Sequence, residues 1–250
     1  MIRFIIAAAL AATLSFAPAA SSSFTVRPEQ ATAVKPSVAP VPAPGRAPTL
    51  EAQFGLHAHA DDHASGLAPG QTPASFREWL RGSAVNRDTL GRFRAYLAAR
   101  NVESVVPMWQ LVRTSSSWRE CGAQPFETPP QDKWDHIVTT LQFVRDDVVP
   151  AVGEVEALSA YRNEALNACS NGAPASAHRH FFALDLTPVN KKLERTAMIR
   201  SVCAAHARDG ARYDAGLGFY NGRRFHVDSS GYRKWGPNGK GATSPCVTNA

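Results

Sequence analysis

Residues 176–185 read SAHRHFFALD, and the fold turns on how this stretch continues. Phe182, Leu184 and Leu186 alternate with Phe181, Ala183 and Asp185, the period-two pattern of a strand with one apolar face. His178 lies seven residues before Asp185. On a continuous strand an odd separation puts two side chains on opposite faces. Both can serve one site only if the chain bends between them, and a metal site here needs further ligands from elsewhere.

A second stretch offers them. Residues 216–228, GLGFYNGRRFHVD, are two short apolar runs around Asn221-Gly222. That dipeptide predicts a hairpin with a two-residue type I′ turn, which needs positive φ at both positions. On the second strand Phe225 and Val227 face one way, and Arg224, His226 and Asp228 the other. A strand bearing Asp185 and a strand bearing His226 can converge, and His178 in the loop entering FFALDL completes the set. Two imidazoles and one carboxylate leave a fourth position on zinc for water, as in a catalytic site rather than a closed structural one. Zinc brings the pKa of that water towards neutrality. On spacing alone, ordinary buried histidines remain the alternative.

Four helices are predicted around these strands. Ser75-Phe76-Arg77-Glu78 reads as a capping box opening a short helix through Leu80. Asn86 is the expected cap of a second, with Leu90, Phe93 and Leu97 on one face. A longer helix is expected from about Asp132 to Val149. Its stripe is Trp134, Ile137, Val138, Leu141, Val144 and Val148, and Pro150 marks its end. Another spans about Lys191 to Arg208, with Ile199, Val202, Cys203 and His206 on one face and Gly210 just beyond. Residues 154–161, EVEALSAY, form a further strand leading into Arg162. The predicted class is α+β: a small antiparallel sheet flanked by helices, a zinc site on the sheet, and a helical N-terminal extension.

The chain of 250 residues is long enough for one ordinary domain with additions. It opens MIRFIIAAALAATLSFAPAASSS: an early arginine, an apolar run too short to span a bilayer well, and small residues at Ala17 and Ala19. This is the pattern of a secretory signal over residues 1–20. No cysteine lies near the cleavage point to carry a lipid. Residues 21–74 read as a Pro/Ala-rich, His-containing linker. Residues 75–250 read as a single catalytic domain, with an extension over 75–130 and the core over 131–250. An exported, periplasmic or secreted protein without stable membrane insertion is expected. Within the linker region HAHADDH (57–63) almost spells the H-x-H-x-D-H signature of metallo-β-lactamase-like enzymes. Asp62 and His63 fall one place late, however, and no apolar strand precedes them, so it reads as a surface segment.

Cys121, Cys169, Cys203 and Cys246 make an even count, which in an exported chain favours two disulfides among three possible pairings. Cys121–Cys169 with Cys203–Cys246 is the expected arrangement. The net charge of +6 suits a polyanionic surface such as a cell wall. Nucleic acid is not expected, since no Lys/Arg run or basic helix stands out. A monomer is expected.

Three blocks, SAYRNEALNA, SAHRHFFALD and GLGFYNGRRFHVDSSGYRKW, resemble in order and spacing the zinc D-alanyl-D-alanine carboxypeptidases and murein endopeptidases, the LAS-type metallopeptidases. The S-x-H-x-x-G-x-A-x-D motif of that family falls on Ser176, His178, Ala183 and Asp185. An ending found in one branch falls on His226, Val227, Asp228, Arg233 and Trp235, and a Y-R element on Tyr161 and Arg162. The resemblance covers roughly residues 134–236. It implies one Zn2+ held by His178, Asp185 and His226, with Arg162 and Ser176 binding a peptidoglycan peptide. It also implies hydrolysis of an amide bond in that peptide, by a carboxypeptidase or an endopeptidase.

Two departures stand out. Phe181 occupies the motif's glycine position, so the local bend or the pocket wall is expected to differ. Arg223 stands three residues before the last ligand, where many members place the general base. Asp228, sharing the face of His226, is the expected base; its alternative is an acceptor orienting the imidazole, and His180 is a further candidate. A non-catalytic exported wall-binding protein that retains the zinc-peptidase fold is the competing class.

Overall fold

The computed structural model describes residues 69–248. The expected signal peptide, most of the linker and the HAHADDH segment lie outside those residues.

The folded part begins ahead of Ser75. Thr72 caps helix α1 (Pro73–Arg81), its hydroxyl accepting from the Ser75 N–H, and Pro73 fits the first turn, where no amide donor is needed. Gln71 is already buried, its side chain donating to the Ser115 and Pro125 carbonyls. Helix α2 (Ala84–Ala98) is capped by Ser83 rather than Asn86, because the Asn86 N–H is the donor to the Ser83 hydroxyl. The predicted stripe of Leu90, Phe93 and Leu97 is buried.

The short helix α3 (Met108–Leu111) lies against strand β1 (Val155–Ser159). There Gln110 Oε1 accepts from the Ala157 N–H, and the Arg113 carbonyl accepts from the Ala160 N–H. Arg113 itself is fully buried, ion-paired to Glu156 at 2.9 Å and bonded to the Gln71 and Ala157 carbonyls. Burial pulls its pKa down to about 10 while Glu156 opposes the shift. Residues before 130 thus belong to the same hydrophobic core as the sheet.

The predicted 132–149 helix is one helical run that changes type along its length. A 3-10 turn (Gln131–Lys133) precedes α4 (His136–Phe143); a π turn (Val144–Val148) then joins it to α5 (Val149–Val152). Its stripe is buried as expected. Pro150 lies inside this continuous helical run, directly after the π turn, and Gly153 at φ +79° ends the run. Helix α6 (Glu164–Cys169) is capped by Asn163, and α7 (Arg195–Asp209) begins four residues later than expected. The last helix, α8 (Pro245–Thr248), is tied to α7 by the Cys203–Cys246 disulfide, and Cys121–Cys169 ties the extension to α6.

The sheet has five strands in the order β1–β2–β4–β3–β5, with β2 (Ala183–Pro188), β3 (Gly216–Phe219), β4 (Phe225–Asp228) and β5 (Arg233–Trp235). The first three pairings are antiparallel, as expected, but β5 joins the edge parallel to β3, so the sheet is mixed. The hairpin also differs. Phe219 pairs with Phe225, and the Tyr220 N–H donates to the Arg224 carbonyl at 3.3 Å. Three residues therefore turn the chain, and of the Asn-Gly pair only Gly222 has positive φ, which excludes type I′.

Alternation gives the sheet two unlike faces. Leu184, Leu186, Leu217, Phe219, Phe225 and Val227 join the core with Ile137 and Leu141 of α4. The opposite face carries Asp185, His226 and Asp228, opposed on β3 by Gly216 and Gly218. The glycines clear that face: a Cβ at Gly218 would meet the Trp235 indole at 1.9 Å, and one at Gly216 would meet the Asp228 carboxylate at 2.3 Å.

Candidate metal centre

The bend required between His178 and Asp185 is present. Residues Ala177–His180 form a 3-10 turn, and Phe181 follows in the left-handed conformation, φ +62° and ψ +31°. Phe181 therefore keeps the backbone shape that glycine would adopt, at a cost of about 1–2 kcal/mol for an L-residue. Its fully buried ring packs on Phe93 and Tyr161, which offsets that cost. The turn is held from α4: the His136 ring stacks on Phe182 and its Nδ1–H donates to the His180 carbonyl at 2.7 Å. Thr140 donates to the Phe182 carbonyl.

His178, Asp185 and His226 converge, all three buried. His178 Nε2 lies 3.2 Å from His226 Nδ1 and 3.3 Å from Asp185 Oδ1, and the third edge, His226 Nδ1 to Asp185 Oδ1, is 3.1 Å. Tetrahedral nitrogen and oxygen ligands with bonds near 2.0–2.1 Å stand about 3.3 Å apart, so the triangle has the size that such an ion requires.

The surrounding partners fix the donor set. His178 Nδ1 faces the Ala160 carbonyl at 2.5 Å, an acceptor only, so Nδ1 carries the hydrogen and Nε2 presents a lone pair. His226 Nε2 faces Asp228 Oδ2 at 2.8 Å, so on the neutral ring Nδ1 is bare. Both bare nitrogens and a carboxylate oxygen then point at one another with no hydrogen between them. Buried acceptors in that arrangement repel unless a cation or a proton stands among them. The three side chains can hold a metal ion, and their chemistry fits one.

Electrostatics separate the two imidazoles. Burial dominates at His178 and, with Arg162, takes its pKa down to about 4, so it stays neutral as a ligand must. At His226 burial is again the largest single influence, but hydrogen bonds to Asp185 and Asp228 outweigh it and the pKa rises. Asp185 would be raised by burial, yet His178 and Arg224 hold it well below the ordinary carboxylate range.

Asp185 is shaped by two residues that the sequence pattern did not single out. Tyr220 Oη donates to Oδ1 at 2.9 Å and Arg224 Nη2 to Oδ2 at 2.5 Å. Tyr220 was legible only as the next residue on the face of Gly216 and Gly218, and Arg224 as a neighbour on the face of His226. Trp235 of β5 leans against both His226 and Tyr220, ring centres 5.4 Å away in each case, and walls the site.

Asp228 stands on the far side of His226, remote from the converging atoms. Its oxygens accept from His226 Nε2, from the Ser230 N–H and hydroxyl, and twice from Arg233 at 3.0 and 2.8 Å. Its pKa lies far below the usual range: burial alone would raise it, and His226, Ser230 and Arg233 together overcome that. A carboxylate so placed can orient the imidazole, the second of the two roles expected for it. Arg223, in the position of the missing base, is turned to the Pro188 and Asn190 carbonyls. His180 is exposed and outside the converging group. Ser176 is half-buried just ahead of the 3-10 turn, and its hydroxyl makes no hydrogen bond among the described residues.

Arg162 follows β1, its own N–H donating to the His178 carbonyl at 3.2 Å. Its guanidinium makes no hydrogen bond among the described residues, and its Nε is buried. Burial lowers its pKa while Asp185 and Tyr220 oppose the shift, so it shares their surroundings. No protein-family model matches this chain, and no curated protein or solved structure matches it.

Proposed function

We propose that the protein is a zinc-dependent hydrolase of an amide bond in peptidoglycan peptides containing D-amino acids. The observation carrying this reading is the triangle of bare acceptors from His178, Asp185 and His226, with the unpartnered guanidinium of Arg162 nearby. The resemblance of the three sequence blocks to the LAS-type metallopeptidases supplies the substrate class.

His178, His226 and Asp185 would hold the ion, and Lewis acidity is what zinc contributes when bound, lowering the pKa of a water towards neutrality. The Ala160 carbonyl and Asp228 keep the two imidazoles in the tautomers that ligation needs. Tyr220 and Arg224 hold both oxygens of Asp185, which fixes the orientation of its carboxylate. Arg162 offers five N–H donors to an anionic oxygen of the substrate, including the charge that develops on an attacked carbonyl. Trp235 excludes water from one side of the site.

One observation favours a non-catalytic wall-binding protein instead: among the described residues, Asp185 and Asp228 are both held by hydrogen bonds from neighbouring side chains, and neither stands free beside the triangle as a base. Muropeptides incubated with purified protein, with and without a chelator, separate the two. Cleavage products that vanish with chelator and return with zinc support the hydrolase. Muropeptide retention by zinc-loaded protein without cleavage makes it a binding protein.

A further inference from the structure

We propose that the Cys203–Cys246 disulfide is a redox latch on the metal centre. Closed, it keeps residues 231–248 strapped against the groups that hold His226; opened by a dithiol, it lets the strap leave and the affinity for metal fall. The inference rests on the metal-centre part of the hydrolase reading and not on the substrate or the reaction.

The strap meets the centre at two points. Arg233 donates to both oxygens of Asp228, whose Oδ2 faces His226 Nε2. Trp235 stands 5.4 Å from the His226 ring, centre to centre, and its indole fills the space over Gly218. The strap has few buried contacts of its own: of residues 231–248 only Gly236, Ser244 and Pro245 are buried. Strand β5 has three residues, pairs with β3 alone and leaves Arg233 and Lys234 exposed. Tyr232 stacks on His206 with half of its surface exposed (49%). Residues 236–244 fold back on themselves, the Gly236 N–H donating to the Lys240 carbonyl and the Ser244 N–H to the Gly241 carbonyl. Segments with so little buried surface open locally at low cost. The bridge ties this one to α7 and closes a loop of 43 residues that contains β3, β4 and β5. While it is closed, a detached strap stays next to its seat; once it opens, the detached state gains chain entropy.

The bridge is accessible. Cys203 and Cys246 are both half-buried, and a cavity of about 290 Å³ lies beside them, lined by Arg200, Ala204 and Pro245. Access governs the rate of thiol–disulfide exchange, and a cation near the sulfurs favours the thiolate that leaves. The thiolate of a dithiol attacks one sulfur and expels the other as a thiolate. The second thiol then displaces the protein from the mixed disulfide. Two electrons and two protons pass to the protein, which gains two thiols, and the dithiol ends as a disulfide. Asp228 then loses the Arg233 bonds and His226 loses the Trp235 wall. The other bridge joins the extension to α6 and carries no part of the strap.

Zinc affinity, by competition with a chromophoric chelator, and hydrogen exchange of the metal-free protein, by mass spectrometry, are compared between the full chain and Cys203→Ser/Cys246→Ser. The variant is expected to bind zinc about tenfold more weakly, the scale of a lost outer partner of a ligand. Residues 231–236 should exchange at least about fivefold faster while α4 and β2 keep their rates. The same shifts are expected in the parent after treatment with a dithiol without denaturant, blocking with iodoacetamide and removal of both reagents, with Cys203 and Cys246 found alkylated. This second arm decides the matter if the double variant does not fold. Equal zinc affinity with the bridge open and closed, or a bridge that resists the dithiol in the folded protein, overturns the latch and leaves the metal centre standing. Weaker zinc binding without faster exchange in residues 231–236 overturns it too, because the strap has not moved. A parent that binds no zinc removes the metal centre and the latch together.

Discussion

Replacing Asp228 by Asn separates an orienting carboxylate from a general base. The two side chains have the same shape, but Asp228 is an acceptor at all five of its contacts. An asparagine offers one oxygen and one NH2. With the oxygen kept towards Ser230 and Arg233, the NH2 faces His226 Nε2, which must then surrender its hydrogen to Nδ1, the nitrogen that points at Asp185. With the amide reversed, the NH2 faces the donors of Ser230 and Arg233. Either arrangement weakens metal binding, and loss of such a supporting acceptor typically costs 10–100-fold in affinity, about 1.4–2.8 kcal/mol. Competition against a chromophoric chelator measures the zinc affinity, and circular dichroism establishes that the variant is folded. A folded Asp228→Asn protein that binds zinc within twofold of the parent, yet hydrolyses muropeptides 10²–10⁴-fold more slowly, would refute the orienting role and make Asp228 the base.

Three further outcomes follow from the same coordinates. At Phe181, Ala retains the left-handed strain and Gly relieves it, so Phe181→Gly should be the more stable of the two by about 1 kcal/mol in guanidinium unfolding. The reverse order would mean that φ at this position is not positive. Zinc affinity should fall with acid in a one-proton manner between pH 6.5 and pH 4. His226, with its raised pKa, binds a competing proton as the pH drops, whereas His178 stays neutral until about pH 4 and Asp185 stays ionised. A slope of two in that range, measured as log affinity against pH, would place both imidazoles near their ordinary values. Serines at Cys121 and Cys169 release a closure of 48 residues, for which chain entropy gives a loss of up to about 4 kcal/mol; an unchanged denaturation midpoint under non-reducing conditions would mean that this bridge does not form.

Much of this was legible in the sequence because it follows from short-range periodicity. The stripes Leu90–Phe93–Leu97 and Ile137–Leu141–Val144 are buried where a helical period puts them, and Leu184, Phe225 and Val227 where alternation does. The convergence of His178, Asp185 and His226 was readable once three ordered blocks were taken together. What failed depends on tertiary choices. Thr72 and Ser83 took the caps expected of Ser75 and Asn86, because both helix starts offer more than one hydroxyl or amide and packing selects among them. The buried Arg113–Glu156 pair joins residues 43 apart, and no local pattern announces it. The contacts of Tyr220 and Arg224 with Asp185 depend on a three-residue turn in place of a two-residue one. The role of Asp228 was open because the sequence does not show that Arg233 and Ser230 fill its oxygens.

The most direct measurement is anomalous diffraction at the zinc edge from crystals of the full chain, paired with metal analysis of His178→Ala and His226→Ala. One peak is expected about 2.0–2.1 Å from His178 Nε2, His226 Nδ1 and Asp185 Oδ1, with one zinc per chain in the parent and little in either variant. No peak at this triangle, or a single zinc that both variants retain, would contradict the assignment of the metal centre.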